Sequence, residues 1–108
     1  RWLGSLSSLM GRLRWHCHFM QKLEDEPRIE FENLSPVYDG LRGNAFDEER
    51  FARWCAGQTG YPMVDACMRA LHASGWINFR MRAMLMSFAS YHLWLHWRRP
   101  ALHLARLF

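Results

Sequence analysis

Trp54-Cys55-Ala56-Gly57-Gln58-Thr59-Gly60-Tyr61-Pro62-Met63-Val64-Asp65-Ala66-Cys67-Met68-Arg69-Ala70-Leu71 is the stretch that decides the fold. Gly57 closes one helix, because glycine enters the left-handed conformation that ends helices without a Cβ penalty. Pro62 opens the next, since its fixed φ suits a first helical turn. Val64, Cys67, Met68 and Leu71 then recur at helical spacing and form a core stripe. Asp65 and Arg69 stand four apart and are expected to pair on the surface. Upstream, Asp47 can cap a short helix from Glu48 to Cys55. Residues 28–43 hold Pro36, Gly40 and Gly43 among mixed charges and read as an irregular connector. Before it, Leu6, Leu9, Met10, Leu13, Cys17 and Met20 make one apolar stripe on a helix that Pro27 ends, after Glu24, Asp25 and Glu26. Downstream, Gly75 terminates the Pro62 helix. Asn78 caps another that runs to Trp97 or Arg98, and Pro100 marks the start of a further one. No segment alternates as a strand would, so the class is all-α.

Composition sets bounds on this reading. The chain has 108 residues, half of them hydrophobic, with six tryptophans and a net charge of +4. Such a chain buries only a modest core, and a small basic excess permits a polyanionic partner without demanding one. Three cysteines, Cys17, Cys55 and Cys67, form no CxxC unit and argue for a reducing, cytoplasmic setting. The longest uncharged stretch, Ala83 to Trp97, is shorter than the roughly 18 residues of a spanning helix and contains His92 and His96. No membrane association is expected. The first residue is Arg1, and the chain stops inside an apolar run at Phe108; both ends read as cut from a larger polypeptide.

Three groups of residues could carry chemistry. On the first helix, Trp15 lies about 200° around from Leu13, with Arg12, His16 and Phe19 on the same side. Cations and aromatics on one face can hold a phosphate and stack a base; the same face could equally pack on another part of the parent protein. Arg80 and Arg82 fall in the first turn of the Asn78 helix, where the helix dipole disfavours cations. They need an anion: a carboxylate, a cofactor phosphate or DNA. Trp94 and Trp97, three apart, would be neighbours on that helix, serving either core packing or electron relay. His16-Cys17-His18 is not expected to bind metal, because adjacent helical residues point about 100° apart.

The Trp54–Leu71 stretch resembles the signature of the DNA photolyase/cryptochrome family, W-x2-G-x-T-G-x-P-x-V-D-A-x-M-R-x-L. The likeness continues through Gly75-Trp76-Ile77-Asn78-Phe79-Arg80-Met81-Arg82 to the Trp97-Arg98 pair, about half the chain. Arg14-Trp15-His16-Cys17-His18-Phe19 looks like the family's W-R-E-F helix, chiefly through Trp15. The resemblance implies that residues 1–108 are part of the helical, bundle-like FAD-binding domain, truncated at both ends. It implies FAD as cofactor, and damaged DNA and the remainder of the parent polypeptide as partners. It also implies a reaction: light excites reduced FAD, an electron passes to a pyrimidine dimer flipped out of DNA, the dimer splits and the electron returns. Arg82 matches a flavin-side arginine that pairs with an aspartate, with Trp76 and Asn78 of the same cluster on the cofactor side. Trp15 matches an aromatic against the lesion, and Arg12, His16 and Phe19 share its face. Phe79 and Arg80 match positions facing DNA, and Trp97 the middle member of a tryptophan relay. Three departures stand out: Asn44 where the surface member of that relay is expected, Arg12 for a glutamate, and Phe79 for an Asn or His. A light-sensing cryptochrome without repair and a helical interaction module that has lost flavin are the alternatives.

Overall fold

The computed structural model describes residues 2–42 and 46–108; the expectation at Asn44 lies outside them. The described residues form five α-helices and no strand: α1 Trp2–Asp25, α2 Glu48–Cys55, α3 Pro62–Ser74, α4 Phe79–Ser87 and α5 Arg98–Leu107. The chain divides into two compact units, Arg1–Asp39 and Gly40–Phe108.

The first unit is α1 followed by two 3-10 turns, Pro27–Glu30 and Pro36–Tyr38. Pro27 ends α1 as expected, because it offers no N–H to continue the ladder. The apolar stripe is present, and Leu6, Leu9, Leu13 and Met20 on it are all exposed. The connector read as irregular is bent by those two turns and tied by Asn33 Nδ2, which donates to Asp39 Oδ1 at 2.7 Å.

The second unit holds the core: Trp54, Val64, Cys67, Met68, Leu71, Ile77, Leu85, Phe88, Ala89, Leu95 and Leu104. Its caps follow the sequence. Asp47 accepts from Arg50 N at 2.9 Å, and Asn78 Oδ1 accepts from Met81 N at 3.0 Å. Past α2, Gly57 takes φ +64°, and Gln58 N donates to Arg53 O at 2.9 Å, which closes the helix in a Schellman turn. Gly75 ends α3 at φ +67°, with its N–H on Leu71 O.

Two expectations are corrected here. The helix from Asn78 does not reach Trp97. Regular α-helix stops at Ser87, and Phe88–His92 is a π-helical turn. Trp94 then adopts φ +59° and Leu95 N donates to Ala89 O at 3.0 Å, closing the segment. A tryptophan in the left-handed region is strained. What holds it is tertiary: Leu95 is buried, while Arg42 stacks 4.8 Å over the Trp94 ring and donates to Leu95 O at 3.1 Å. Trp94 and Trp97 are therefore not neighbours on one helix. The new helix begins at Arg98, with Trp97 as its N-cap, rather than at Pro100. The second correction concerns Asp65, which is buried rather than paired on the surface.

Candidate functional site

The signature stretch turns out to build a loop lock. The Asp65 carboxylate, projecting back from the first turn of α3, accepts from Thr59 N at 2.8 Å, Thr59 Oγ1 at 2.6 Å and Gly60 N at 2.9 Å. Burial pushes this carboxyl up, but the Thr59 hydroxyl and N–H, the Gly60 N–H and the nearby Arg69 charge outweigh it and leave it below its usual value. Arg69 itself donates Nε to the Asp65 carbonyl at 3.2 Å, a backbone contact instead of the expected side-chain pair. Gly57 has no alternative: a Cβ there would lie 3.0 Å from Asp65 O and 3.1 Å from Arg69 Cγ. Thr59, which the sequence reading passed over, is a central acceptor and donor of this loop. The lock fixes the angle between α2 and α3, the scaffold on which the downstream cluster is mounted.

That cluster begins where Gly75 turns the chain out of α3. Trp76 is 65 % and Phe79 71 % exposed, and Arg80 is exposed beside them. Asn78 spends its side-chain oxygen on capping α4. Arg82 is half-buried; its Nε donates to Ile77 O at 3.1 Å and its guanidinium lies 3.7 Å over the Phe108 ring. Among the described residues, carboxylate partners serve Arg28, Arg50, Arg53 and Arg99, and Arg82 has none. Arg82 thus brings a cation to α4, and Trp76 an open aromatic ring to the segment that joins α3 to α4. Trp97 is half-buried at the start of α5, its ring 5.8 Å from His96.

On α1, Trp15 is 62 % and Phe19 59 % exposed, their rings 5.8 Å apart, and His18 stands edge-on to Trp15 at 5.7 Å. The imidazole that joins Trp15 is His18 rather than His16, because residues three and four apart meet on a helix while immediate neighbours do not. An open hollow of about 340 Å³ is lined by Gly11, Arg14, Trp15 and His18. Arg12 and His16 are exposed on the same helix.

Arg99, also unremarked in the sequence, clamps the ends of the second unit: it pairs with both oxygens of Glu48 and lies 4.1 Å over Phe46 and 4.7 Å over Phe51. The pairing lowers the Glu48 carboxyl and raises Arg99. Its planar fork makes this contact possible, where a lysine would give a single point charge.

The described residues make an all-α scaffold whose α2–α3 loop is the signature stretch. Residues 9–108 match the family model for the FAD binding domain of DNA photolyase. The deoxyribodipyrimidine photo-lyase of Vibrio cholerae is 48 % identical over 94 residues, covering 82 % of this chain and 19 % of the relative. That of Thermus thermophilus is 49 % identical over 90 residues, covering 83 % and 21 %. Cryptochrome DASH of Idiomarina loihiensis is 41 % identical over 69 residues, covering 60 % and 15 %. No solved structure matches. The chain belongs to the DNA photolyase/cryptochrome family, within its FAD-binding domain, and FAD is the cofactor of that domain. It spans about a fifth of the length of the photo-lyase relatives it matches.

Among the described residues no helix is long and apolar enough to cross a membrane. The residues present are chemically compatible with a flavin. A half-buried guanidinium without a carboxylate among the described residues is what an anionic or carbonyl-rich group would complete, and Trp76 has an exposed aromatic ring.

Proposed function

We propose that the polypeptide to which this chain belongs is a blue-light-driven DNA photolyase, in which this segment supplies part of the flavin wall and part of the lesion-facing surface. The observation that carries the reading is the match of residues 9–108 to the FAD binding domain of DNA photolyase. The photo-lyase names of relatives 48 % and 49 % identical over 94 and 90 residues support repair. When bound, reduced and excited by light, FAD supplies the electron that splits a pyrimidine dimer. The chain's own residues do the rest. Arg82, braced by Ile77 O and Phe108, holds an anionic or carbonyl group of the cofactor region, with Trp76 and Asn78 alongside. Phe79 and Arg80, both exposed in the first turn of α4, meet the DNA, Arg80 as a phosphate cation. Trp15 and Phe19 stack on an extruded base, while Arg12 and His16 lend positive charge to the backbone. Trp97 relays an electron inward. Soluble, cytoplasmic residence goes with this reading.

The test is selectivity for damage. The full-length protein is expected to bind dimer-containing duplex more tightly than undamaged duplex. Trp15→Ala should weaken the first by about 1–3 kcal/mol, the usual worth of stacking one base, and the second far less. Equal loss on both substrates would make Trp15 a packing residue. No preference for damage in the unaltered protein would favour the light-sensor reading that the cryptochrome relatives represent.

A further inference from the structure

Two imidazoles of the second unit, the half-buried His103 and the exposed His72, take no part in that chemistry. His103 on α5 lies among Phe51 and Trp54 of α2 and His72 of α3, with ring centroids 6.2, 5.7 and 5.7 Å away. His103 Nε2 is buried with no hydrogen-bond partner among the described residues, and so is Trp54 Nε1 in the adjoining ring. His72 Nε2 sits 2.8 Å from the Cys55 carbonyl, which can only accept, so that nitrogen carries the proton. The charges acting on His103 are His72 across the helix boundary and Arg106 on its own helix, both of cationic sign. Helix α2 presents two uncharged aromatic rings and Cys55, whose thiol burial pushes up to about 11 and so keeps neutral. Arg99 is neutralised by Glu48.

We propose that His103 is an acid-sensitive latch: as the neutral imidazole it docks α5 against α2 and α3, and on protonation it releases them. An indole N–H only donates, whereas a neutral imidazole nitrogen accepts and a protonated one donates. Protonation therefore makes His103 a donor only, with the unpartnered Trp54 N–H in the adjoining ring and a second imidazole and Arg106 nearby. Burial first, then His72 and Arg106, hold His103 below its usual 6.5. A histidine kept neutral in the folded chain but free to protonate when unfolded removes stability as the pH falls below about 6.5. One proton costs up to a tenfold fall in the folding constant per pH unit, until the folded form also takes it up. Helix α5 carries Trp97 at its start, and Phe108, on which Arg82 rests, directly follows its end. Releasing α5 therefore loosens the flavin wall, a consequence that rests on the photolyase reading above.

The test is urea unfolding of the full-length protein from pH 8 to 5, alongside His103→Phe, which keeps an aromatic ring. The folding constant of the unaltered protein is expected to fall several-fold to tenfold between pH 6.5 and 5.5, with FAD released in the same window. His103→Phe should lose that component. Equal pH dependence in the two proteins overturns the latch. If His103→Phe does not fold, the NMR titration of His103 in the unaltered protein decides, and a midpoint at or above 6.5 overturns it. A His103-dependent slope with FAD retained throughout overturns the coupling to the flavin wall. Absence of FAD at every pH contradicts the photolyase reading instead, leaving the slope to judge the latch.

Discussion

Asp65→Ala is expected to destabilise the second unit by about 2–3 kcal/mol, because it strands part-buried backbone donors that a carboxylate now satisfies. Three hydrogen bonds of 2.6–2.9 Å converge on that side chain from Thr59 and Gly60. Removing it leaves the two N–H groups without acceptor at the point where the chain reverses between α2 and α3. Asp65→Asn keeps the shape and one acceptor oxygen but loses the charge, so it should cost roughly 1–2 kcal/mol. Urea midpoints of the two variants check the order. Loss below about 1 kcal/mol for Asp65→Ala would mean that the loop re-forms on other acceptors. The pH dependence follows from the lowered carboxyl. Its contribution is complete above the ordinary 3.8 and is lost as the pH falls through the lower folded value. Acid unfolding of Asp65→Ala should accordingly be less steep below pH 4.

Trp97→Phe separates packing from relay. Trp97 is half-buried at the start of α5, so an aromatic of slightly smaller volume should be tolerated at a cost of about 1–2 kcal/mol. Phenylalanine is far harder to oxidise than indole. The variant should therefore fold, retain FAD and split dimers once its flavin is reduced chemically. It should lose most light-driven flavin reduction by an external donor, measured as the rate of flavin bleaching under blue light. Bleaching at the unaltered rate, with folding intact, would reduce Trp97 to a core residue. The non-helical course of 93–97 makes this test informative, because Trp94 does not stand in line with Trp97 on a common helix and cannot be assumed to replace it.

Most of the helical framework could be read from local chemistry. Asp47, Asn78, Gly57, Gly75 and Pro62 act on their own neighbourhoods, so caps and stops at these positions emerge from the residues themselves. The break after Ser87 could not be read, since no Gly or Pro lies between Ala83 and Trp97. It is imposed by burial of Leu95 and by Arg42, which reaches across 53 positions of sequence to bond its carbonyl. Asp65 shows the same limit. Four-residue spacing to Arg69 predicts a surface pair, yet the carboxylate turns into the loop because backbone donors preceding α3 claim it. At the site, Arg82, Trp76 and Phe79 were singled out through the family signature, and the structure places Trp76 and Phe79 exposed and Arg82 half-buried. The bracing of Arg82 by Phe108 depends on where α5 lands and left no local signal. His18, rather than His16, beside Trp15 follows from helix arithmetic and needed only stricter attention to three- and four-residue spacing.

The central claim, light-driven dimer cleavage, is tested most directly by one measurement. The full-length protein, with its flavin reduced chemically, is mixed with dimer-containing DNA, and the remaining dimers are counted after blue light and after an equal time in darkness. The account predicts loss of dimers in the light alone. FAD bound and reduced, with dimers undiminished under light, would contradict it.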